Sequence, residues 1–248
     1  MLKRIIKAAC HRLGYEMVRS SAVRAYLPDP FEEMRRLIPE ARVIFDVGAH
    51  HGHVSLRYRQ LFPLATVYAF EPFPDSFAQL SRNTSNDAMI RPFNFGLADT
   101  PGPRLFSTNA SSATNSIFET DARGSEVWGK GLLETSQRIP LPFSTIDQFL
   151  ADSSLAAIDI LKLDVQGAEY LVLQGARRST SRIKLIYSEI ITQPTYQEQQ
   201  ALHDVLRTFQ DSGFLLHNFY ELSRTTGGKL RQLDAIFANR ELPSLTSQ

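Results

Sequence analysis

Residues 43–55 read VIFDVGAHHGHVS, and the order of parts in that stretch decides the fold. An apolar run, VIFDV, has the composition of a buried strand. Gly48 and Gly52 then bracket a turn, and GHVSLRYRQLF (52–62) continues at helical spacing. A strand that runs through glycines into a helix opens a strand–helix–strand unit. Glycines at that point let the chain turn sharply and let a ligand approach the backbone. The spacing is G-x-x-x-G, not the G-x-G-x-x-G of a pyrophosphate binder, which disfavours a dinucleotide. The next strand, TVYAF (66–70), runs into Glu71, 19 residues beyond Gly52. A carboxylate at that place accepts the hydroxyls of a ribose. The pair points to an adenosyl ligand without a diphosphate. The bland alternatives are a ligand-free turn and a solvated strand end. His50, His51 and His53 are too close in the chain to converge on one metal, and no metal is expected. His50 should line the turn, with the other two at the helix surface.

Outward from this unit, strands are expected at 43–47, 66–70, 90–95, 158–163, 184–190, 213–219 and 233–238. Helical patterns fall between them, at 74–86 and 168–179 and most clearly over TYQEQQALHDVLRTFQDSG (195–213). Strands alternating with helices imply a doubly wound α/β fold: a seven-stranded, mostly parallel sheet covered on both faces. The last two strands have no helix between them, only a Gly227-Gly228 loop, and should form an antiparallel hairpin at the sheet edge. Residues 96–145 break the rhythm. Short strands and a polar loop are expected there, and a long loop in a compact domain is often a binding loop.

The 248 residues allow one large domain, here read as 29–242, with a basic segment at 1–28 and a tail at 243–248. Residues 1–24 carry six Lys and Arg against Glu16 alone, with Leu2, Ile5, Ile6, Ala9 and Leu13 at helical spacing. Such a segment suits a helix packed on the domain or one lying against an anionic membrane surface. Lys7 and Arg12 interrupt the uncharged centre that a signal peptide needs. No apolar run reaches the roughly 20 residues of a membrane span. Over the whole chain 27 basic residues balance 26 acidic ones, which gives no argument for nucleic acid as a partner. Cys10 is the only cysteine, excluding an internal disulfide and suiting the cytoplasm. The expected localisation is therefore cytoplasmic, with peripheral membrane contact through residues 1–28 as an option.

Three segments together, DVGAHHG, FEPFPDSFAQL and LKLDVQGAEYLVLQGA, resemble the signature segments of the FkbM-type methyltransferase family. The similarity runs from about residue 40 to 240, and LGYEMVR (13–19) resembles the usual lead-in. The resemblance implies the Rossmann-like class I methyltransferase fold, S-adenosylmethionine as donor, and methylation of a hydroxyl on a sugar, glycan or secondary metabolite. By position, Asp46, Gly48, Ala49 and Gly52 match the cofactor turn and Glu71 the ribose-binding acid. Asp99, in GLAD, falls where such folds often contact adenine. Asp164 matches the acid ending the fourth strand, and Glu169 the acid of V-Q-G-A-E. One departure is His50, where the family usually has Asn. Imidazole can still make one hydrogen bond from that place.

Methyl transfer from a sulfonium needs an aligned acceptor oxygen and a group to take its proton. Asp164 or Glu169 is the expected base, with Glu189 third. Helix-dipole stabilisation is the alternative role for Glu169, and a strand-end ion pair that for Glu189. Ser112, Asn115 and Ser116, in the polar stretch 107–121, are expected to bind a polyhydroxylated acceptor. A non-catalytic nucleoside-binding module of the same fold is the competing function.

Overall fold

The computed structural model describes residue 6 and residues 29–242. The expectations for the basic segment 1–28 and the tail 243–248 lie outside the described residues. The elements are α1 (Pro30–Leu37), β1 (Val43–Val47), α2 (His53–Leu61), β2 (Thr66–Phe70), α3 (Pro74–Thr84), β3 (Ile90–Phe93), β4 (Gly96–Leu97), β5 (Gly102–Asn109), α4 (Gly124–Trp128), β6 (Thr135–Ser144), α5 (Ile146–Ser153), β7 (Ile158–Leu163), α6 (Glu169–Gln174), β8 (Ile183–Ile191), α7 (Leu202–Asp211), β9 (Phe214–Arg224) and β10 (Leu230–Asn239).

Seven strands form one sheet in the order β3-β2-β1-β7-β8-β10-β9. All seven are those expected from the sequence. β10 is the one strand that runs against the rest of this sheet, paired with β8 on one side and β9 on the other. The chain steps outward from β1 to β3, then returns to lay β7 on the other side of β1. That reversal opens a crevice at the carboxyl ends of β1 and β7, where open α/β sheets bind their ligands. Both faces are covered. Phe45, Phe70, Leu161, Leu163 and Phe237 pack on one side, and Ile44, Tyr58, Ile160, Leu185 and Ile236 on the other.

Residues 96–145 hold more order than their sequence suggests. β4, β6 and β5 form a second, three-stranded sheet, and its strand β5 leads into the polar stretch beside the crevice. The expected helix at 195–213 shortens to Leu202–Asp211. The Gln199 side chain accepts the backbone N–H groups of Thr195 (3.0 Å) and Tyr196 (2.9 Å), which folds the first third into a turn. That turn carries Tyr196 into the interior at 2 % exposure. Three helices the periodicity did not reveal, α1, α4 and α5, are short, and α1 and α5 are capped by side chains. The Asp29 carboxylate accepts the Phe31 N–H at the start of α1, and the Thr145 hydroxyl the Gln148 N–H at the start of α5.

Candidate active site

The turn after β1 is built against β7. Gly48 has φ +78, and a Cβ there would lie 1.8 Å from the Asp164 carbonyl oxygen, so no other residue fits. His50 also takes a left-handed conformation, φ 49, which Asn and His tolerate better than most residues. Its backbone N–H donates to the Glu71 carboxylate at 2.8 Å, and Phe73 N–H donates to the other Glu71 oxygen at 2.9 Å. Glu71 is 6 % exposed and its pKa is pushed up to about 7 by burial, against these two backbone bonds. The His50 ring meets the Ser112 hydroxyl at 2.8 Å and stacks on His51. Burial, and then His51, pull its pKa down to about 4, so the ring is neutral at physiological pH.

Beneath the turn lies a charge that the sequence analysis passed over. Lys162, in β7, is buried with its Nζ 3.1 Å from the Gly48 carbonyl, 3.2 Å from Asp46 and 3.3 Å from Asp164. Burial disfavours its charge, but Asp164 and Asp46 together outweigh that and raise its pKa. Asp46 is fully buried and accepts from the Ser55 hydroxyl at 2.6 Å. It braces the turn from below. The available signal was a lysine inside an otherwise apolar central strand, ILKL.

Two clefts meet at Asp164. The first is lined by Gly48, His50, Glu71, Leu97, Asn115 and Gln166 among others. The second is lined by His53, Arg57, Tyr187, Glu189, Gln232 and Asp234 among others. Asp164 lines both.

Gln166 holds the acids at this junction. It has φ 56, and its amide nitrogen donates to Asp164 at 2.9 Å and to Glu189 at 3.0 Å. Its amide oxygen faces the Tyr196 hydroxyl at 2.9 Å. Glu189 accepts a further bond from Gln232 at 2.9 Å. Burial, and then the neighbouring Asp164, Glu169 and Asp234, push its pKa well up. Glu169 does not line either of the two clefts. One of its oxygens accepts the N–H groups of Val165 (3.0 Å) and Gly167 (3.2 Å), closing the loop after β7, and burial pushes its pKa up to about 7. Gln166 and Tyr196 were not among the expected site residues. The first is visible only as part of a motif, and the second falls in a stretch that reads as helix.

The remaining expected residues separate. Ser112 and Asn115 line the first cleft, with Gly48 and Glu71, rather than the second. Ser116 is fully buried, donating to the Gln166 carbonyl and accepting from Phe118 N–H. Asp99 is drawn to Arg104 as an ion pair and does not line the first cleft. Gly52 caps α2, and Ala49 is buried in the turn, its N–H bonded to the Phe70 carbonyl.

Residues 46–216 match the family model described as the methyltransferase FkbM domain. The chain is 30% identical over 177 residues to the 2-O-methyltransferase NoeI of Sinorhizobium fredii, covering 68% of this chain and 72% of that protein. It is 27% identical to the hexuronic acid methyltransferase AglP of Haloferax volcanii, covering 63% of this chain and 60% of that one. Among solved structures, the METTL16 methyltransferase domain superposes with a TM-score of 0.50 at 10% identity, over 90% of this chain and 70% of that one, which bears on the fold alone.

Proposed function

We propose that this chain, which belongs to the FkbM methyltransferase family, methylates a hydroxyl oxygen of a sugar, glycan or secondary metabolite. Its cofactor is S-adenosylmethionine, which supplies a sulfonium methyl group as the electrophile. The first cleft fits that group. Gly48 leaves room against the Asp164 backbone, Glu71 offers a carboxylate to ribose hydroxyls, and Asn115, which lines the same cleft, carries a buried amide nitrogen with no partner among the described residues.

The observation that carries the reading is the place of Asp164 between the two clefts. Donor and acceptor enter from different sides, and only at Asp164 do both meet one carboxylate. Asp164 is the base we assign: it takes the acceptor's proton as the oxygen attacks. Lys162 and Gln166 fix its two oxygens, and a fixed base loses no orientation entropy at the reacting moment. Glu189, facing the second cleft, hydrogen-bonds the acceptor. Glu169 shapes the loop that carries Asp164. Phenol, imidazole, amide and carboxylate groups in the second cleft suit a polyhydroxylated acceptor. Relatives described as a 2-O-methyltransferase and a hexuronic acid methyltransferase support oxygen and a sugar as the target class.

The test is transfer of a labelled methyl group to a panel of glycans and glycosylated metabolites, with the product linkage determined by mass spectrometry and alkali treatment. An alkali-stable methyl ether is expected. Label found on nitrogen, or as an alkali-labile carboxyl ester, would overturn the hydroxyl assignment.

A further inference from the structure

One end of the cofactor cleft is an apolar slot walled by Leu97, Phe106, Ile117 and Phe143. These side chains come from the second sheet and the segment after β5, so the slot exists only because residues 96–145 are ordered. Asn115 belongs to the same lining, and it is 8 % exposed. Its Oδ1 accepts the Asn109 backbone N–H at 2.8 Å. A side-chain nitrogen cannot accept that bond, so the Asn109 N–H fixes which end of the amide is oxygen. The Nδ2 end is left buried and, among the described residues, without a hydrogen-bond partner. A buried donor left unpaired costs about 1–3 kcal/mol, and native structures rarely carry that cost without a use.

We infer that Asn115 Nδ2 reads the cofactor's adenine by donating to one of its ring nitrogens. The slot offers flat apolar walls, and an adenine edge offers acceptors in its plane. Two groups that could otherwise contact the base from the segment after β3 are engaged. Asp99 pairs with Arg104, and the Ala98 N–H donates to the Ser144 carbonyl at 2.9 Å. Asn115 is also held in place before any ligand arrives. His50 grips Ser112, the Thr114 carbonyl lies 2.8 Å from the Tyr196 hydroxyl, and Ser116 donates to the Gln166 carbonyl at 2.8 Å. The stretch 112–116 is thus a preformed roof over the donor rather than an acceptor-binding loop, and preformed donors bind without an ordering cost.

The inference rests on the cofactor assignment and is tested separately from it, by calorimetric titration without any acceptor. S-Adenosylhomocysteine and its 1-deaza, 3-deaza and 7-deaza analogues are titrated into wild type, Asn115→Ala and Asn115→Asp. Asp keeps the oxygen that Asn109 N–H requires and loses the donor, so it remains informative if the alanine variant does not fold. Both variants should bind S-adenosylhomocysteine about tenfold to a hundredfold more weakly. One deaza analogue should show a similar deficit in wild type, and that deficit should vanish in Asn115→Ala. Folded variants with wild-type affinity overturn the inference, as does a wild-type protein that tolerates all three analogues. Wild type that fails to bind S-adenosylhomocysteine at all overturns the cofactor assignment instead.

Discussion

Replacing Lys162 by methionine should cost a large fraction of the protein's stability. The stem is nearly conserved, but the charge is gone. Lys162 is 6 % exposed at its side chain and Asp46 is 0 % exposed, with 3.2 Å between their charged atoms. Without the ammonium, Asp46 keeps, among the described residues, only the Ser55 hydroxyl as partner for an ionised group in the core. Removing one member of a buried ion pair typically costs about 3–5 kcal/mol, because the other charge is left uncompensated. Asp164 contributes less, since its side chain is 35 % exposed and water can take over part of its solvation. Against a total of about 5–15 kcal/mol, the loss is a large fraction. With a urea slope of about 2–3 kcal/mol/M, the midpoint should fall by roughly 1–2 M. Urea unfolding followed by circular dichroism and by the fluorescence of Trp128, the only tryptophan, reads it directly. Adding Asp46→Asn to Lys162→Met removes the orphaned charge and should recover most of the loss. A loss below about 1 kcal/mol in the single variant, or a further loss in the double, would refute the account of Lys162 as the counter-charge of the turn.

Three other outcomes are expected. Glu71→Ala should weaken S-adenosylhomocysteine binding by about 1.5–3 kcal/mol, the scale of hydrogen bonds to a charged group; titration calorimetry checks it, and unchanged affinity in a folded variant removes the ribose role. Asp164→Asn should lower the single-turnover transfer rate by about 10²–10⁴-fold at saturating donor while donor affinity stays within a few-fold; a near wild-type rate moves the base to Glu189. Glu71 and Glu169 are both pushed up to about 7 by burial, so the folded protein holds protons that the unfolded chain has released. Their contribution therefore lowers stability as pH rises from about 4.5 to about 7 and is flat above, and thermal melts across pH 4–8 should show Glu169→Gln gaining on wild type over that window.

The sheet was legible because its strands are apolar runs separated by helical periodicity, and the register of β1, β2 and β7 leaves little freedom once those runs are placed. The turn after β1 was legible for a related reason: Gly48, Glu71 and Asp164 each follow directly on the end of a strand. What stayed hidden depends on contacts between distant segments. Tyr196 reads as the start of a helix until Gln199 bonds back to its N–H, and no periodicity records a side chain folding onto the backbone three residues earlier. Lys162 reads as an interruption of a strand until Asp46 and Asp164 stand on either side of it. Ser112 and Asn115 were legible as hydrogen-bonding residues, but which cleft they face is decided by the second sheet.

The same distinction separates the two clefts. The first draws its polar groups from the ends of β1, β2 and β7 and from one stretch after β5, so a few short motifs record it. The second cleft is assembled from α1, α2, β7, β8, β9 and β10, through Phe31, Arg57, Asp164, Glu189, Glu221 and Asp234. No two of these six residues are neighbours in the chain, and three lie on strands whose residues alternate between faces. The antiparallel β10 matters most here. It places Asp234 directly across from Glu189, and Asp234 is bonded by the Tyr187 hydroxyl. Gln232 reaches Glu189 from the same strand. Gln166 then ties that group to Asp164. The second cleft can thus be altered strand by strand on the β8–β10 side while the turn after β1 keeps its own supports in Asp46, Ser55 and Lys162. Under the proposed assignment, a fold arranged this way keeps its methyl donor in a local motif and leaves acceptor choice to residues that only the folded sheet brings together.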